Sequence, residues 1–103
     1  MVIIMKKELT SKQRAYLKGL AMKENAIMQI GKASLTPEVT DSVSEALEAR
    51  ELVKISVLKN CFDDPREIAQ ILSERTGSVV VQVIGKKIVL YRESATKKKI
   101  ELP

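Results

Sequence analysis

A chain of 103 residues with 45% apolar content is long enough for one compact domain, which at this size buries roughly 65% of the surface its unfolded chain exposes. It contains no His and one Cys, Cys61, which excludes His-based acid–base catalysis, Ser-His and Cys-His nucleophiles, Cys/His zinc sites and an intramolecular disulfide. The net charge of +5 is unevenly spread: residues 1–34 carry seven basic and two acidic side chains, residues 35–75 five and nine, and residues 76–103 six and two. This layout predicts a polyanion-binding face built from the first and last thirds, with the acidic middle turned elsewhere. The plainer reading is that Lys-rich ends are simply solvated.

Val2 to Met5 is the apolar start before Lys6-Lys7, too short for a signal-peptide core or a membrane span. A cytoplasmic protein is therefore expected, with either Met1 or Met5 as its native start. Residues 1–8 are read as an N-terminal extension, 9–94 as a single domain and 95–103 as a basic tail.

Leu9-Thr10-Ser11 opens a helix over about 11–24, with Thr10 or Ser11 as N-cap. Leu9, Tyr16, Leu17, Leu20 and Ala21 share one face, and Lys12, Arg14, Lys18 and Lys23 occupy most of the rest. Ala26 to Ile30 reads as a buried strand closed by Gly31. Thr36-Pro37-Glu38 then starts a helix over about 37–50, with an N-cap, Pro at the first helical position and a carboxylate near the positive end of the dipole. Leu52 to Lys59 alternates as a second strand. After an Asn60–Asp63 loop, Asp64-Pro65-Arg66-Glu67 resembles a capping box, and the third helix, with Ile68, Ala69, Ile71 and Leu72 on its buried stripe, stops at Gly77. Ser78 to Ile84, the turn Gly85-Lys86 and Lys87 to Arg92 form a hairpin, with Val81 and Val83 on one face and Val80 and Ile84 on the other. The segment from Glu93, including Lys97-Lys98-Lys99, reads as irregular and mobile.

The order helix, strand, helix, strand, helix, strand, strand predicts an α/β fold with a mixed four-stranded sheet. Crossover helices imply parallel pairing of the first three strands, with the last antiparallel to its hairpin neighbour.

Gly31-Lys32-Ala33-Ser34 lies between a strand and a helix start. Small residues there let a phosphate approach the backbone, helix-start amides donate to it, and Lys32 adds a charge. Such a loop holds a nucleic-acid backbone without reading its bases. It lacks the longer Gly-rich stretch of a Walker loop, and Gly in a strand-to-helix turn also occurs for geometry alone. With one Phe and two Tyr, base stacking is not expected to be a main source of affinity. Lys86, Lys87, Arg92 and the 97–99 run extend the basic surface, or protect the hairpin edge. Glu38, Asp41, Glu45 and Glu48 read as a solvated helix face rather than a catalytic pair or magnesium site, and Cys61 as incidental.

Leu9-Thr10-Ser11-Lys12-Gln13-Arg14, Gln29-Ile30-Gly31-Lys32, Ala46 to Lys54 and Val81 to Lys86 leading to Leu90-Tyr91-Arg92 together resemble the CRM domain family of RNA-binding proteins, in particular the stand-alone bacterial members of the YhbY type, over about Leu9 to Ser94. The resemblance implies a two-layer α/β fold similar to the C-terminal domain of translation initiation factor 3, with strand order 1-2-4-3. It also implies RNA binding on large ribosomal subunit precursors, hence a role in ribosome assembly. The family's Gly-x-x-Gly loop, compared with that of KH domains, falls on Gly31 to Ser34, where Ser34 replaces the second Gly. Ser tolerates positive φ less well than Gly, so either the loop bends differently, or the Ser34 hydroxyl caps the next helix or contacts a phosphate.

The expectation is a non-catalytic, monomeric RNA-binding module without cofactor, metal, membrane or small-molecule substrate. Its contact residues are Gly31, Lys32, Ala33 and Ser34, with Lys12, Arg14, Lys18, Lys86 and Arg92. The alternative is a protein-interaction module that uses the acidic second and third helices.

Overall fold

In a computed structural model of the protein, residues 9–96 and 98–103 are described. The elements run α1 (Ser11–Met22), β1 (Met28–Ile30), α2 (Pro37–Arg50), β2 (Leu52–Val57), α3 (Pro65–Thr76), β3 (Val79–Ile84) and β4 (Lys87–Tyr91). Helix starts follow the sequence chemistry. Thr10 Oγ1 accepts from Gln13 N while Gln13 Oε1 accepts from Thr10 N, both at 3.1 Å, so the reciprocal capping box lies at α1. At α3 the Asp64 carboxylate instead accepts from Arg66 N at 2.9 Å, and Pro65 holds the first helical position.

The described strands form one sheet in the order β1-β2-β4-β3. β1 and β2 are parallel, whereas β4 is antiparallel to both β2 and β3. The expected parallel pairing of the first three strands therefore holds for β1 and β2 alone, because β4 is inserted between β2 and β3. Burial explains the insertion. Ile88, Val89, Leu90 and Tyr91 are all buried, so β4 presents apolar side chains to both faces and belongs inside a sheet rather than at its edge.

α2 and α3 cover one face, over a core that includes Ile30, Val43, Leu47, Ile55, Leu72, Ile88 and Leu90. This layer and the sheet are the two expected layers. α1 and the C-terminal segment add partial cover on the other face, where Leu17, Ala21, Val81, Val89 and Tyr91 are buried and Ile100 and Leu102 pack against them. Cys61 is buried in the α2–α3 core as a small apolar residue.

A register shift between Val80 and Gln82 bulges β3 and overturns the expected alternation. Val80 and Val83 pack toward α2 and α3, and Val81 toward α1. Arg14 Nη1 donates to the carbonyls of Val80 and Val81, both at 2.7 Å, so a helix side chain satisfies acceptors that the bulge releases from the ladder.

The segment after β4 is irregular as expected, but it is anchored rather than loose. Ser94 N donates to Glu51 Oε2 at 2.8 Å and Ile100 N to Glu51 Oε1 at 2.7 Å, with Lys99 N bonded to the same Oε1. Ser94 Oγ and Thr96 Oγ1 donate to Glu48 Oε2 at 2.7 and 2.8 Å. Glu51 is fully buried and sits at the end of α2 with φ of 67°.

Candidate nucleic-acid interface

Parallel β1 and β2 end on the same side of the sheet as the start of β4 and the finish of β3. Three loops therefore meet there. Leu58 N donates to Ile30 O at 2.8 Å, and Val57 N to Lys86 O at 2.7 Å, tying the loops after β1 and β2 and the β3–β4 turn together. Lys32, Lys59, Lys86 and Lys87, one or two from each loop, are exposed at this end. Asp63 and Asp64 lie at its α3 margin, and Phe62 is 91% exposed beside them.

Within the loop after β1, Ser34 N donates to Gly31 O at 2.9 Å and closes a turn. Ser34 sits at φ of 55°. The loop thus holds the left-handed conformation at its fourth position even though a side chain is present there, at a cost of about 1 to 2 kcal/mol for a non-Gly residue. Ser34 is not the helix cap, since Thr36 Oγ1 accepts from Val39 N at 3.1 Å. Ser34→Gly should consequently leave the loop's shape unchanged and raise stability by about 0.5 kcal/mol, because relief of the strain exceeds the added unfolded-state entropy. Urea midpoints of the two proteins check this.

Gly31 has the opposite character. Its φ is outside the left-handed region, and a Cβ added there would meet Asn60 Oδ1 at 3.5 Å and Leu58 Cδ1 at 3.6 Å, which is ordinary contact. Packing does not require glycine at this position, and the space a Cβ would take is lined by Asn60 and Leu58. At the helix start, Pro37 has no N–H and Thr36 already engages Val39 N, which leaves Glu38 N as the first-turn donor for a ligand. The expected set of helix-start amides is therefore reduced to one by the residues that make the cap.

The other predicted contact residues are dispersed. Lys18 is exposed on α1, on the side that faces Gln82, Ile84 and Lys87. Lys12 is exposed in the first turn of α1, next to Arg14, whose Nη1 is occupied by the β3 bulge. Arg92 lies at the opposite end of the sheet from the lysine loops. Its Nη1 donates to Thr76 O at 2.7 Å and to Ser44 Oγ at 3.0 Å, and its Nη2 to Ser44 O at 2.8 Å with Glu48 Oε1 at 3.6 Å. Arg14 and Arg92 thus hold backbone carbonyls of the fold through their guanidinium groups. Lys98 and Lys99 are exposed at the Glu51 end, so the last-third charge divides between the two ends instead of forming one face; Lys97 lies outside the described residues.

Sequence reasoning missed Lys59, Lys54 and the carboxylate pair at the base of the tail. Lys54 Nζ reaches Ala21 O and Glu24 O, each at 3.4 Å, at the end of α1. The hydroxyls of Ser94 and Thr96, with Thr96 N and Arg92, hold Glu48 down at about 2 against the effect of burial. Burial would raise Glu51, but the N–H groups of Ser94, Lys99 and Ile100 and the charge of Lys98 outweigh it and lower the pKa. These carboxylates are anchors for the C-terminal segment. Among the described residues no group of three or more acidic or Cys side chains is placed to hold a metal, and no helix is long and apolar enough to cross a membrane.

The CRS1/YhbY (CRM) domain matches residues 9–92. The chain belongs to the CRM domain family. It is 45% identical over 95 residues to a Bacillus subtilis protein named "Probable RNA-binding protein YqeI", covering 92% of this chain and 99% of that one. A Haemophilus influenzae protein named "RNA-binding protein" is 36% identical, with 92% and 95% covered. The solution structure of SAV1595 from Staphylococcus aureus shares the fold with a TM-score of 0.78 and 50% identity, over 93% of this chain and all of that one. The strand order implied by the family resemblance is the one observed. In the loop from Gly31 to Ser34, on which the resemblance placed the Gly-x-x-Gly motif, the fourth residue is left-handed although it is Ser.

Proposed function

We propose that this CRM domain is a non-catalytic RNA-binding protein that docks on structured ribosomal RNA of large-subunit precursors, through the lysine-bearing loop end of its sheet, and assists their assembly. The observation that carries the reading is the convergence of Lys32, Lys59, Lys86 and Lys87 from the three loops at this end of the sheet. Four ammonium groups on one end of the sheet offer charge to the phosphates of a folded RNA and contain nothing that reads base edges. Lys18 extends this surface along α1, while Lys12 contributes at longer range. The names of the relatives support RNA as the partner.

The domain acts in this reading as a monomer in the cytoplasm, with no cofactor. Fractionation of cell extract on sucrose gradients tests it. Co-migration with large-subunit precursors that is lost at high salt, and lost for Lys32→Glu, is the expected result. Confinement to the free pool at low salt would contradict it.

Gly31→Ala separates a functional glycine from a structural one. Stability should be unchanged or higher by about 0.4 to 1 kcal/mol, through the unfolded chain, while RNA affinity falls in this reading, because the methyl group, set against Asn60 and Leu58, narrows the room for a phosphate between the loops. Paired urea titration and RNA-binding measurements on this variant check both halves.

A further inference from the structure

On the α1 side of the sheet, one strand-register step from the lysine loops, lies a recess of about 370 Å³. Two cross-strand rows form its floor. Lys54, Val89 and Gln82 are aligned across β2, β4 and β3, and the next row is Ser56, Lys87 and Ile84. The bulge in β3 turns Gln82 to this face beside Val81. α1 closes the side with Lys18, Ala21 and Met22.

The chemistry of these walls is two-fold. Ala21, Met22, Val89 and Ile84 are apolar, and Met22, at the end of α1, and Ile84, at the end of β3, stand 83% and 61% exposed. Three lysines reach the recess and no carboxylate lines it. Lys54 Nζ is turned to the carbonyls that end α1, and Lys87 Nζ to Ser56 Oγ at 3.0 Å. The volume is at the small end of ligand sites, enough for one flat heterocycle and its sugar phosphate and too confined for a paired helix. An exposed apolar pair does not hold a phosphate, and three unopposed ammonium groups do not favour an uncharged apolar segment. A nucleotide satisfies both halves: apolar walls take the faces of an extruded base and a polar amide takes its edge.

We propose that this recess binds a single unpaired nucleotide of the RNA, with its base between Met22 and Ile84, Gln82 at the base edge and its phosphate on Lys18 and Lys87. The proposal rests on the RNA-binding reading and adds to it a second, base-dependent site, so that a bulged or looped-out position is preferred over uninterrupted duplex.

The test uses the full-length protein and three RNA hairpins that differ at one position: fully paired, carrying one bulged nucleotide (A, C, G and U in turn), or carrying an abasic bulge. At least one bulged nucleotide should bind roughly tenfold more tightly than both the abasic and the paired hairpins, the usual scale for one sequestered base. Met22→Ser and Ile84→Ser together should erase that ratio and leave affinity for the paired hairpin unchanged; both side chains are exposed, so folding is retained. Lys32→Glu should weaken all three hairpins and preserve the ratio. Equal binding of all hairpins by the unaltered protein, or a bulge preference that survives the double substitution, would overturn the recess while leaving the loop-end reading intact. Failure to bind any hairpin would overturn both.

Discussion

Lys32→Glu is expected to weaken binding to structured RNA by about tenfold at moderate salt and to reduce the log–log salt slope by about 1, uniformly across RNA sequences. Lys32 is exposed on the loop that follows β1, within the turn that closes through Ser34 N and Gly31 O. Its charge is one of four at the loop end, and each ammonium that meets a phosphate releases one condensed counterion. Reversing the charge removes one such contact and adds repulsion, yet it touches no packing. Thermal unfolding of the variant should therefore coincide with that of the unaltered protein. Binding isotherms at a series of salt concentrations, together with a melting curve, check the two halves. Lys98→Glu is the contrasting case: that side chain lies at the opposite end and pairs with Glu93 at 3.3 Å, and its replacement should leave the RNA slope near its original value.

Glu51→Ala is expected to be the most destabilising single change on the polar side of the structure, by about 3 kcal/mol. The carboxylate is fully buried and accepts the N–H groups of Ser94, Lys99 and Ile100. Its removal leaves three donors without their acceptor and releases the segment that covers Leu17, Val89 and Tyr91 with Ile100 and Leu102. Urea denaturation reads the loss, and faster amide hydrogen exchange across 94–100 locates it.

The same pair sets an acid limit. Glu48, drawn down from 4.5 to about 2 chiefly by the hydroxyls of Ser94 and Thr96, and Glu51, also lowered, bind protons more readily in the unfolded chain than in the fold. The stability they contribute is fully present above pH 4.5 and is lost as pH falls toward 2. Glu48→Gln should flatten this part of the stability profile, and denaturation at stepped pH values measures it.

The helices and strands were legible because their signals are local. Thr10, Thr36 and Asp64 cap the helices as their sequence positions predict, and Val53, Ile55 and Val57 alternate into the core. What local pattern does not carry is which strands become neighbours. The crossover helices implied that β3 pairs in parallel with the first two strands, whereas the four consecutive buried residues of β4 decide the order; the family resemblance supplied that order from outside the pattern. The bulge at Val80 and Val81 was equally hidden, since an added residue in a β-branched run leaves no compositional trace.

For the candidate interface, the loop at Gly31 to Ser34, Lys86 and Lys87 were readable, but Lys59 joins them only through strand order. Arg14 and Arg92 read as exposed cations because charge alone does not reveal the carbonyls waiting at a bulge or a helix end. Glu51 was hardest to see. It follows a run of helical acidic residues, and its burial arises from a segment more than forty positions later in the chain folding back upon it.

The salt dependence of binding to a structured RNA tests most directly whether the loop end engages RNA phosphates. With Lys32, Lys59, Lys86 and Lys87 each neutralising one phosphate, the slope of log affinity against log salt should be about −3, falling to about −2 for Lys32→Glu. A slope near zero, or one unchanged by that substitution, would contradict the account.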